Sequence, residues 1–323
     1  MTETTPRRMK AISARSWGGP EVLTEIEVDT PVPGPTEILV RVHAAGLNAT
    51  DWKSRVAGGL RMWDEPAVLG HDVSGVVEAV GLGVTLYRAG DAVFGMPAFP
   101  RQAGGYAEYV TGPARHFARK PDEVDHVEAA ALPLVGLTAW QCLTETVHLE
   151  PGQRVLIHAA AGGFGHIAVQ IAKARGGYVI GTASPAKHDF LRGLGIDEII
   201  DYRTTDFTTA IDPVDIVLDS VGGDYGPRSL RVLRRGGTLI SLASPADDAL
   251  RPQAEQLGIH AGFTLVEPDY AGLSALVELV RAGRLRPHVR TVLPLGQAAK
   301  AHEIGETGQT FGKIVLTVEH PNI

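Results

Sequence analysis

A glycine-rich turn between two buried strand patterns is the feature that most constrains this chain. Residues 155–157 (VLI) form an apolar run that is long enough for a buried strand and too short for a helix. The turn AAAGGFG (159–165), a helical pattern over 167–174 and a second strand pattern over 178–182 follow in that order. This order predicts a strand–helix–strand unit. Its turn suits a pyrophosphate, because glycines allow close backbone approach and the helix N-terminus supplies free N–H groups.

The turn is a partial match to the dinucleotide-binding pattern GxGxxG. Ala160, Gly162 and Gly165 fall at the three glycine positions, with Gly163 and Phe164 between the last two. Two of three glycines are weak evidence alone, but the strand–turn–helix–strand context strengthens the match. A tight turn that binds no ligand is the competing interpretation. We expect Gly162, Gly163, Phe164 and Gly165 to contact the pyrophosphate of a cofactor.

The end of the second strand pattern indicates which nucleotide binds. NAD sites usually place Asp or Glu there, about 20 residues into the motif, to bind the ribose 2′-hydroxyl. Here the strand ends GTAS, and the first acid is Asp189. Ser184, Lys187 and Tyr202 offer a hydroxyl, an ammonium and a phenol that can hold a 2′-phosphate. Lys187 and Arg192 could instead form an ordinary solvated helix face. The sequence therefore favours NADP(H).

Composition argues against several other classes of protein. The 323 residues allow two domains, and 44% hydrophobic with 21% charged residues is typical of a globular protein. A net charge of −7 without a basic run argues against nucleic-acid binding. The longest apolar stretch, 129–140, is too short to span a membrane, and the N-terminus lacks an apolar signal core. A single cysteine, Cys142, excludes an intrachain disulfide. We expect a cytoplasmic protein.

Two kinds of pattern divide the chain. Residues 9–110 contain mainly strand and turn patterns, which are typical of a compact β domain. Helical and strand patterns then alternate, at 134–149 (helix), 214–219 (strand), 228–233 (helix), 237–241 (strand), 260–266 (strand) and 270–282 (helix). Such alternation predicts a doubly wound parallel sheet. The last patterns, over 289–318, break the rhythm, and we expect them to return to the first domain.

Several short motifs occur in a characteristic order: AGLNATD (45–51), GHDVSGVV (70–77), GDAV (90–93), GYAEY (105–109), LTAW (137–140), GGFG (162–165) and GKIV (312–315). On these motifs the chain resembles the medium-chain dehydrogenase/reductase superfamily, and within it the zinc-free quinone oxidoreductase-like branch. The resemblance implies an α/β protein with a GroES-like β-barrel catalytic domain (1–133), a Rossmann NADP(H)-binding domain (134–284) and a return segment (285–323). It also implies a homodimer paired through an edge strand at 260–266.

The resemblance further implies which residues carry the chemistry. Asn48 and Asp51 would line the cleft beside the nicotinamide ribose. Many relatives have a tyrosine two residues after that aspartate, where this chain has Lys53. Lys53 could stabilise an oxyanion or donate a proton, or it could pair with Asp51 without a chemical role. Tyr106 is a second candidate proton donor, although a tyrosine in such a strand more often packs half-buried.

Metal and cofactor ligands follow from the same resemblance. Zinc-dependent relatives hold their catalytic metal with two cysteines and a histidine. In this chain Asn48 takes the first cysteine position and no cysteine takes the last, which leaves His71 and Asp72. That pair lacks the thiolates of a catalytic zinc site, so we expect no metal and a hydrogen-bonded His71. Thr138 and Lys313 occupy positions that contact nicotinamide and phosphate in the family.

Without zinc, such a site is poorly suited to deprotonate an alcohol. It can deliver hydride from NADPH to an activated acceptor and stabilise the oxyanion that develops. The expected activity is reduction of a small-molecule quinone or of the activated C=C bond of an enone or enal. Two alternatives stay open: an enoyl reductase that tailors a specialised metabolite, and a non-catalytic NADPH-binding sensor.

Overall fold

The computed structural model of the chain describes residues 7–61, 63 and 65–320. Within them the strands are β1 Arg8–Ala14, β2 Leu23–Asp29, β3 Glu37–Gly46, β4 Ala67–Val68, β5 Asp72–Val80, β6 Ala92–Gly95, β7 Tyr109–Pro113, β8 Phe117–Arg119, β9 Arg154–Ile157, β10 Tyr178–Thr182, β11 Glu198–Ile200, β12 Val214–Asp219, β13 Leu233–Ser241, β14 His260–Phe263, β15 Val289–Pro294 and β16 Lys313–Thr317. The α-helices are α1 Ala49–Arg61, α2 His126–Ala130, α3 Pro133–Trp140, α4 Gly165–Ala174, α5 His188–Gly193, α6 Phe207–Ala210, α7 Tyr225–Ser229, α8 Arg251–Leu257, α9 Tyr270–Arg281 and α10 Ala298–Glu306.

The chain divides into two compact units. The first consists of the described parts of Met1–Leu137, Glu267–Arg281 and Arg286–Ile323. The second consists of Thr138–Val266 and Ala282–Leu285. Helix α9 therefore lies in the first unit, whereas the domain bounds expected from the sequence grouped it with the nucleotide-binding domain.

The first unit is built on two sheets. Its larger sheet has the strand order β15-β16-β3-β5-β6-β8, with β7 also paired to β3, and its smaller sheet has the order β2-β1-β4. Strand β16 runs antiparallel to β3, with Val315 opposite Gly46. Ile38, Val40 and Val42 alternate along β3 and are fully buried, so the apolar face of this strand forms part of the core.

Helix α1 was not expected, because mainly strand and turn patterns were predicted over 9–110, without a helix. The face that it buries carries Asp51, Ser54 and Arg55, at the i, i+3, i+4 spacing of one helix face. An apolar periodicity is therefore missing where the helix meets the core. The polar residues on this face belong to the candidate site described below.

The second unit confirms the predicted doubly wound parallel sheet. Its strands lie in the order β11-β10-β9-β12-β13-β14, and every neighbouring pair is parallel. Chain order reverses between β9 and β12, which is where open α/β sheets bind ligands at their carboxyl edge. The helix predicted over 228–233 is wrong. Helix α7 ends at Ser229, and the apolar Leu233 instead begins β13 at a buried position of the sheet.

A helix needs about 20 predominantly apolar residues to span a lipid bilayer. Across residues 7–61, 63 and 65–320, none of the helices combines the length and the apolar character that a membrane span requires.

Candidate functional site

A buried polar cluster lies in the first unit, where α1, β5 and β16 begin. We call Asn48, Asp51, Asp72, Tyr106 and Lys313 the Asp51 cluster; all five are 4% exposed or less. The Asn48 amide donates to Asp72 Oδ2 at 2.8 Å, and its backbone N–H donates to Asp51 Oδ2 at 2.7 Å. The Lys313 ammonium donates to the Leu47 carbonyl at 2.7 Å and to Asn48 Oδ1, and lies 3.7 Å from Asp72 Oδ2. Sequence motifs far apart in the chain therefore meet here.

The charges in the Asp51 cluster sit in a low-dielectric environment. Burial raises the pKa of Asp72 to about 6, against the lowering effects of the Lys313 ammonium and the Asn48 amide. Burial likewise raises the pKa of Asp51 to about 7; the Asn48 N–H lowers it and the nearby Asp72 charge raises it further. Burial lowers the pKa of Lys313, while the two carboxylates oppose that change. Asp51 therefore titrates near neutral pH.

His71 lies beside the Asp51 cluster and is completely buried. Its Nδ1 is 3.2 Å from the Ala98 carbonyl, so Nδ1 carries the proton and donates. Burial lowers the pKa of His71 to about 4, which keeps the ring neutral. Its Nε2 is 4.0 Å from Asp51 Oδ1, and within the described residues neither atom has a hydrogen-bond partner. With Asp51 ionised, two buried acceptors therefore face each other.

Tyr106 precedes β7 and is also completely buried. Its ring packs over Gly70, where an added Cβ would approach Tyr106 Cδ1 to 2.2 Å and where φ is +91°. Its hydroxyl is 3.4 Å from His302 Nε2. Burial, and then the adjacent Asp51 carboxylate, raise the pKa of Tyr106 well above its usual range. The half-buried packing alternative is thus replaced by full burial at the Asp51 cluster.

Lys53 is placed differently from the other candidate catalytic residues. It is exposed on α1, whereas Asp51 is completely buried. Residues two positions apart on a helix do not face each other. The ionised side chains that act most strongly on Asp51 are Asp72 and Lys313. The expected pairing of Lys53 with Asp51 is therefore not supported, and Lys313 is the lysine of the buried cluster.

The glycine loop, residues 159–165, joins β9 to α4 in the second unit. Ala159 adopts a left-handed conformation with φ of +50°, and its N–H is held by Thr182 Oγ1 at 3.1 Å. A Cβ on Gly165 would lie 2.4 Å from the Ala159 carbonyl oxygen, so the helix start approaches the strand end as closely as glycine allows. Phe164 at the N-cap makes no side-chain cap bond to the first turn of α4. Gly162 and Gly163 complete the loop.

The three residues expected at a 2′-phosphate follow β10 and β11. Ser184 is 7% exposed and directly precedes the short 3-10 turn Pro185–Lys187. The pKa of Lys187 is lowered, first by burial and then by the nearby Arg203 cation. Tyr202 is 46% exposed, and the Arg203 guanidinium lies 5.9 Å from its ring centroid. Lys187 and Arg203 therefore make this corner of the unit cationic.

Thr138 and Cys142 lie on the helical segment that begins with α3. Thr138 is 7% exposed, and Cys142 is buried in the π-helical turn Gln141–Thr146 that continues α3. Burial raises the pKa of the Cys142 thiol to about 12, so it is not a thiolate ligand at neutral pH. Across the described ranges, the structure contains no group of three His, Cys, Asp or Glu side chains arranged to hold a metal ion.

Sequence reasoning gave no role in the site to three residues that belong to the Asp51 cluster or are linked to it. Asp72 accepts from Asn48 and, through Oδ1, from the Leu134 N–H at 2.8 Å. His302 on α10 reaches Tyr106, and Arg55 on α1 reaches His302. A signal was available for Asp72 alone, because it lies in the GHDVSGVV motif next to His71.

Two family matches and several relatives define the class of protein. Residues 34–122 match the alcohol dehydrogenase GroES-like domain family, and residues 194–316 match the zinc-binding dehydrogenase family. A 2-haloacrylate reductase from Burkholderia sp is 35% identical over 93% of this chain and 96% of its own length. Polyketide synthase GfsB from Streptomyces halstedii is 38% identical over 87% of this chain. The chain spans 5% of that synthase and 8% of a second one, from Streptomyces venezuelae.

Solved structures agree with this assignment. The quinone oxidoreductase from Coxiella burnetii has a TM-score of 0.92 and 38% identity, over 97% of this chain and all of its own. The CurK enoyl reductase has a TM-score of 0.85 and 28% identity, over 96% and 99% of the two chains. A mycobacterial protein complexed with NADPH has a TM-score of 0.84 and 30% identity, over 96% and 99%. This chain belongs to the medium-chain dehydrogenase/reductase superfamily. Within it, the chain is a quinone oxidoreductase-like protein with a GroES-like and a Rossmann-type domain.

Proposed function

We propose that this protein is an NADPH-dependent oxidoreductase that transfers hydride, without zinc, to a quinone or to the activated C=C bond of an enone or enal. The observation that carries the proposal is the glycine loop at the carboxyl end of β9. Its strained Ala159 and its Gly165, which has no room for a Cβ, form a backbone cradle before the first turn of α4. Such a cradle fits a pyrophosphate. Relatives named quinone oxidoreductase and 2-haloacrylate reductase support the reaction class.

Preference for NADPH over NADH is inferred from the corner beyond β10. Ser184 and Lys187 follow this strand directly, and the charge of Arg203 reaches Lys187. Two cations favour a 2′-phosphate dianion, whereas the carboxylate usual in NAD sites would repel it. A relative of similar fold is described in complex with NADPH, which agrees with this preference.

Zinc independence is inferred from the chemistry of the residues that occupy the relatives' ligand positions. Asn48 takes the first position, and its amide group is engaged by Asp72 and Lys313. The Lys313 ammonium supplies a positive charge beside Asp72. His71 holds its Nδ1 proton on the Ala98 carbonyl. A neutral amide and one histidine without thiolates are a poor catalytic zinc site.

The bound cofactor would supply the hydride, and the chain's own residues hold the charges around it. Hydride addition to the β-carbon of an enone leaves an enolate that needs a proton on carbon and a positive charge near oxygen. We assign Asn48 and Asp51 to positioning the reacting groups. Lys53 and Tyr106 stay the candidate proton donors from this chain, with solvent as the third source. Thr138 stays a candidate nicotinamide contact and Lys313 a candidate phosphate contact.

A second candidate function is reduction of an enoyl group during assembly of a specialised metabolite. Similarity to segments of two polyketide synthases and to the CurK enoyl reductase favours it. It uses the same hydride chemistry and differs in the acceptor. Turnover of a thioester-linked enoyl substrate much faster than of free enones would favour this reading.

The deciding experiment measures NADPH and NADH oxidation by chelator-treated protein with 1,4-benzoquinone and a panel of short enones. Turnover that favours NADPH supports the proposal as a whole. Turnover that favours NADH overturns the phosphate-site assignment and leaves the reductase assignment in place. Tight NADPH binding without turnover of any acceptor overturns the reductase assignment and points to a sensor.

We also propose a cytoplasmic homodimer. Strand β14 is the edge of the six-stranded sheet, and Ala261, Gly262 and Phe263 are each partly exposed. An open edge strand can pair with its copy across a two-fold axis. Light scattering tests this assembly, and a monomer at micromolar concentration would refute it.

A further inference from the structure

A second buried network reaches the Asp51 cluster from the side of α10. Arg55 Nη1 is 3.2 Å from His302 Nδ1, and His302 Nε2 is 3.4 Å from the Tyr106 hydroxyl. The Arg55 side chain is 1% exposed and His302 is completely buried. Arg55 is anchored by Glu306 Oε1 at 2.5 Å and by the Gly18 carbonyl at 3.0 Å. The Arg55 and His302 side chains therefore have fixed partners.

The chemistry of these partners determines where each proton lies. A guanidinium carries five N–H donors and no acceptor. His302 Nδ1 must therefore accept from Arg55, and the single proton of the neutral ring must sit on Nε2. Burial, and then the Arg55 charge, lower the pKa of His302 to about 3, which keeps the ring neutral. Trp52 packs against the ring in a T-shaped arrangement with the ring centroids 6.4 Å apart.

His302 Nε2–H then donates to the Tyr106 oxygen. The Tyr106 proton is consequently left for a different acceptor. The Asp51 carboxyl lies within side-chain hydrogen-bonding reach of the Tyr106 hydroxyl, and this proximity raises the pKa of the phenol and lowers that of the carboxyl. Asp51 Oδ1 is a buried carboxylate oxygen without a hydrogen-bond partner among the described residues. Burying such an acceptor without a donor is costly.

We propose that Arg55 and His302 are positioning residues that direct the Tyr106 O–H towards Asp51 Oδ1. The sequence of donors runs from Arg55 through His302 and Tyr106 to Asp51, and each step follows from the one before it. The role of Asp51 in the active site rests on the proposed function. The first two steps, from Arg55 to His302 and from His302 to Tyr106, rest on the contacts, and the last step rests on the buried, unpartnered Asp51 Oδ1 beside the phenol.

The consequence is control over the charge of Asp51. A hydrogen bond to a carboxylate favours the ionised form. Asp72 and His71 face Asp51 from β5 and the segment before it, Lys313 faces it from β16, and Tyr106 faces it from the loop before β7. Among these groups, Tyr106 has a hydroxyl proton whose orientation His302 can determine. Without this orientation of the Tyr106 O–H, Asp51 would stay protonated up to a higher pH than in the wild-type protein.

The first test reads the tautomer of His302 in the wild-type protein, by nitrogen NMR of protein labelled with ¹⁵N-histidine. The resonance is assigned as the one lost in His302→Gln. A protonated Nε2 and a bare Nδ1 are expected at neutral pH. A protonated Nδ1 would overturn the proposal, because Arg55 could not then donate to it. This readout does not depend on any enzymatic activity, so it distinguishes failure of this inference from failure of the proposed function.

The second test compares pH profiles of kcat/KM for NADPH with a fixed acceptor. His302→Gln keeps an N–H near the position of Nε2, whereas His302→Asn has a side chain too short to reach Tyr106. We expect His302→Asn and Tyr106→Phe to raise the pH of the Asp51 transition by about one unit. His302→Gln should keep the wild-type profile. In the double variant His302→Asn/Tyr106→Phe, the pH of the transition should shift no further than in either single variant. Equal shifts in the Gln and Asn variants, or none in Tyr106→Phe, would overturn the proposal.

Discussion

The Asp51 cluster is held together by its side chains, whereas the glycine loop depends on its backbone. The Asp51 cluster collects ionisable side chains from α1, β5, β16 and the loop before β7, and each charge is tolerated because another one is adjacent. The glycine loop works through the backbone of seven consecutive residues and contains no ionisable side chain. The Asp51 cluster is therefore sensitive to the loss of any partner, whereas the glycine loop is sensitive to the addition of any atom.

The largest effect should come from breaking the Asp51 cluster at its cation. Lys313→Met leaves the Asp72 carboxyl buried without its ammonium, which we expect to reduce the free energy of unfolding by about 3 kcal/mol. Urea unfolding at pH 7.5 measures this loss of free energy of unfolding. The matched control is Lys173→Met, because Lys173 pairs with Asp197 at 2.7 Å but with side chains 31% and 25% exposed. The control should lose about 1 kcal/mol or less. Equal losses in the two variants would refute the contrast.

The next effect concerns the corner beyond β10. Lys187→Ala should lower kcat/KM for NADPH by about 10- to 100-fold, because a charge-assisted bond to phosphate is lost. The value for NADH should stay unchanged. Arg192→Ala is the matched control, since Arg192 is exposed and paired with Asp189 at 2.5 Å. A parallel fall with both nucleotides would mean that Lys187 does not contact the 2′-phosphate.

The two regions also differ in how far the sequence predicts them. The glycine loop is contiguous in sequence, and the strands and the helix around it show local hydrophobic patterns. For this reason β9, α4 and β10 could all be predicted. The Asp51 cluster depends on tertiary pairing. Gly46 lies opposite Asp72 in the β3–β5 pair and opposite Val315 in the β3–β16 pair, which carries the ends of these strands to one place.

Helix α1 illustrates the limit of pattern reading. Its buried face is polar because it carries Asp51 and Arg55, so hydrophobic periodicity could not reveal it. His302 gave no signal either, since a lone histidine on a helix has no partner in the local sequence. Lys313 was selected by resemblance as a phosphate contact. In the structure its ammonium bonds Asn48 and the Leu47 carbonyl, and the phosphate role stays a prediction.

A smaller effect should come from adding one carbon to the glycine loop. Gly165→Ala would place a Cβ 2.4 Å from the Ala159 carbonyl oxygen and 2.6 Å from Ala160 Cα, both of which are backbone atoms. The strain of about 1–3 kcal/mol should weaken NADPH binding by roughly tenfold or more. Isothermal titration measures the Kd. Gly193→Ala, a helical site with no atom within 4 Å, is the control and should leave the Kd unchanged. A wild-type Kd for Gly165→Ala would contradict the cradle.

The smallest effect distinguishes the two units by pH. His158 is completely buried in the second unit, and burial lowers its pKa from 6.5 to about 3. Below about pH 6.5 the His158 ring therefore binds a proton in the unfolded chain but not in the folded chain. This contribution to the free energy of unfolding is fully present above about pH 6.5 and is lost as the pH falls. In the first unit His71 acts in the same direction. There the raised pKa values of Asp51 and Asp72 oppose it, because the folded state keeps protons that unfolded aspartates release.

His158→Gln should therefore flatten the acid branch of the stability curve. Between pH 4 and pH 6 the slope should fall by about 1.4 kcal/mol per pH unit, which is the value for one proton. Urea unfolding at several pH values measures this slope. His148→Gln, at an exposed position of the same unit outside β14, is the control and should leave the slope unchanged. An unchanged slope in His158→Gln would mean that the buried ring is protonated as readily in the folded chain as in the unfolded one. A doubly protonated ring would then have to donate both to Thr182 Oγ1, 3.3 Å from Nδ1, and to Ser229 Oγ, 3.0 Å from Nε2.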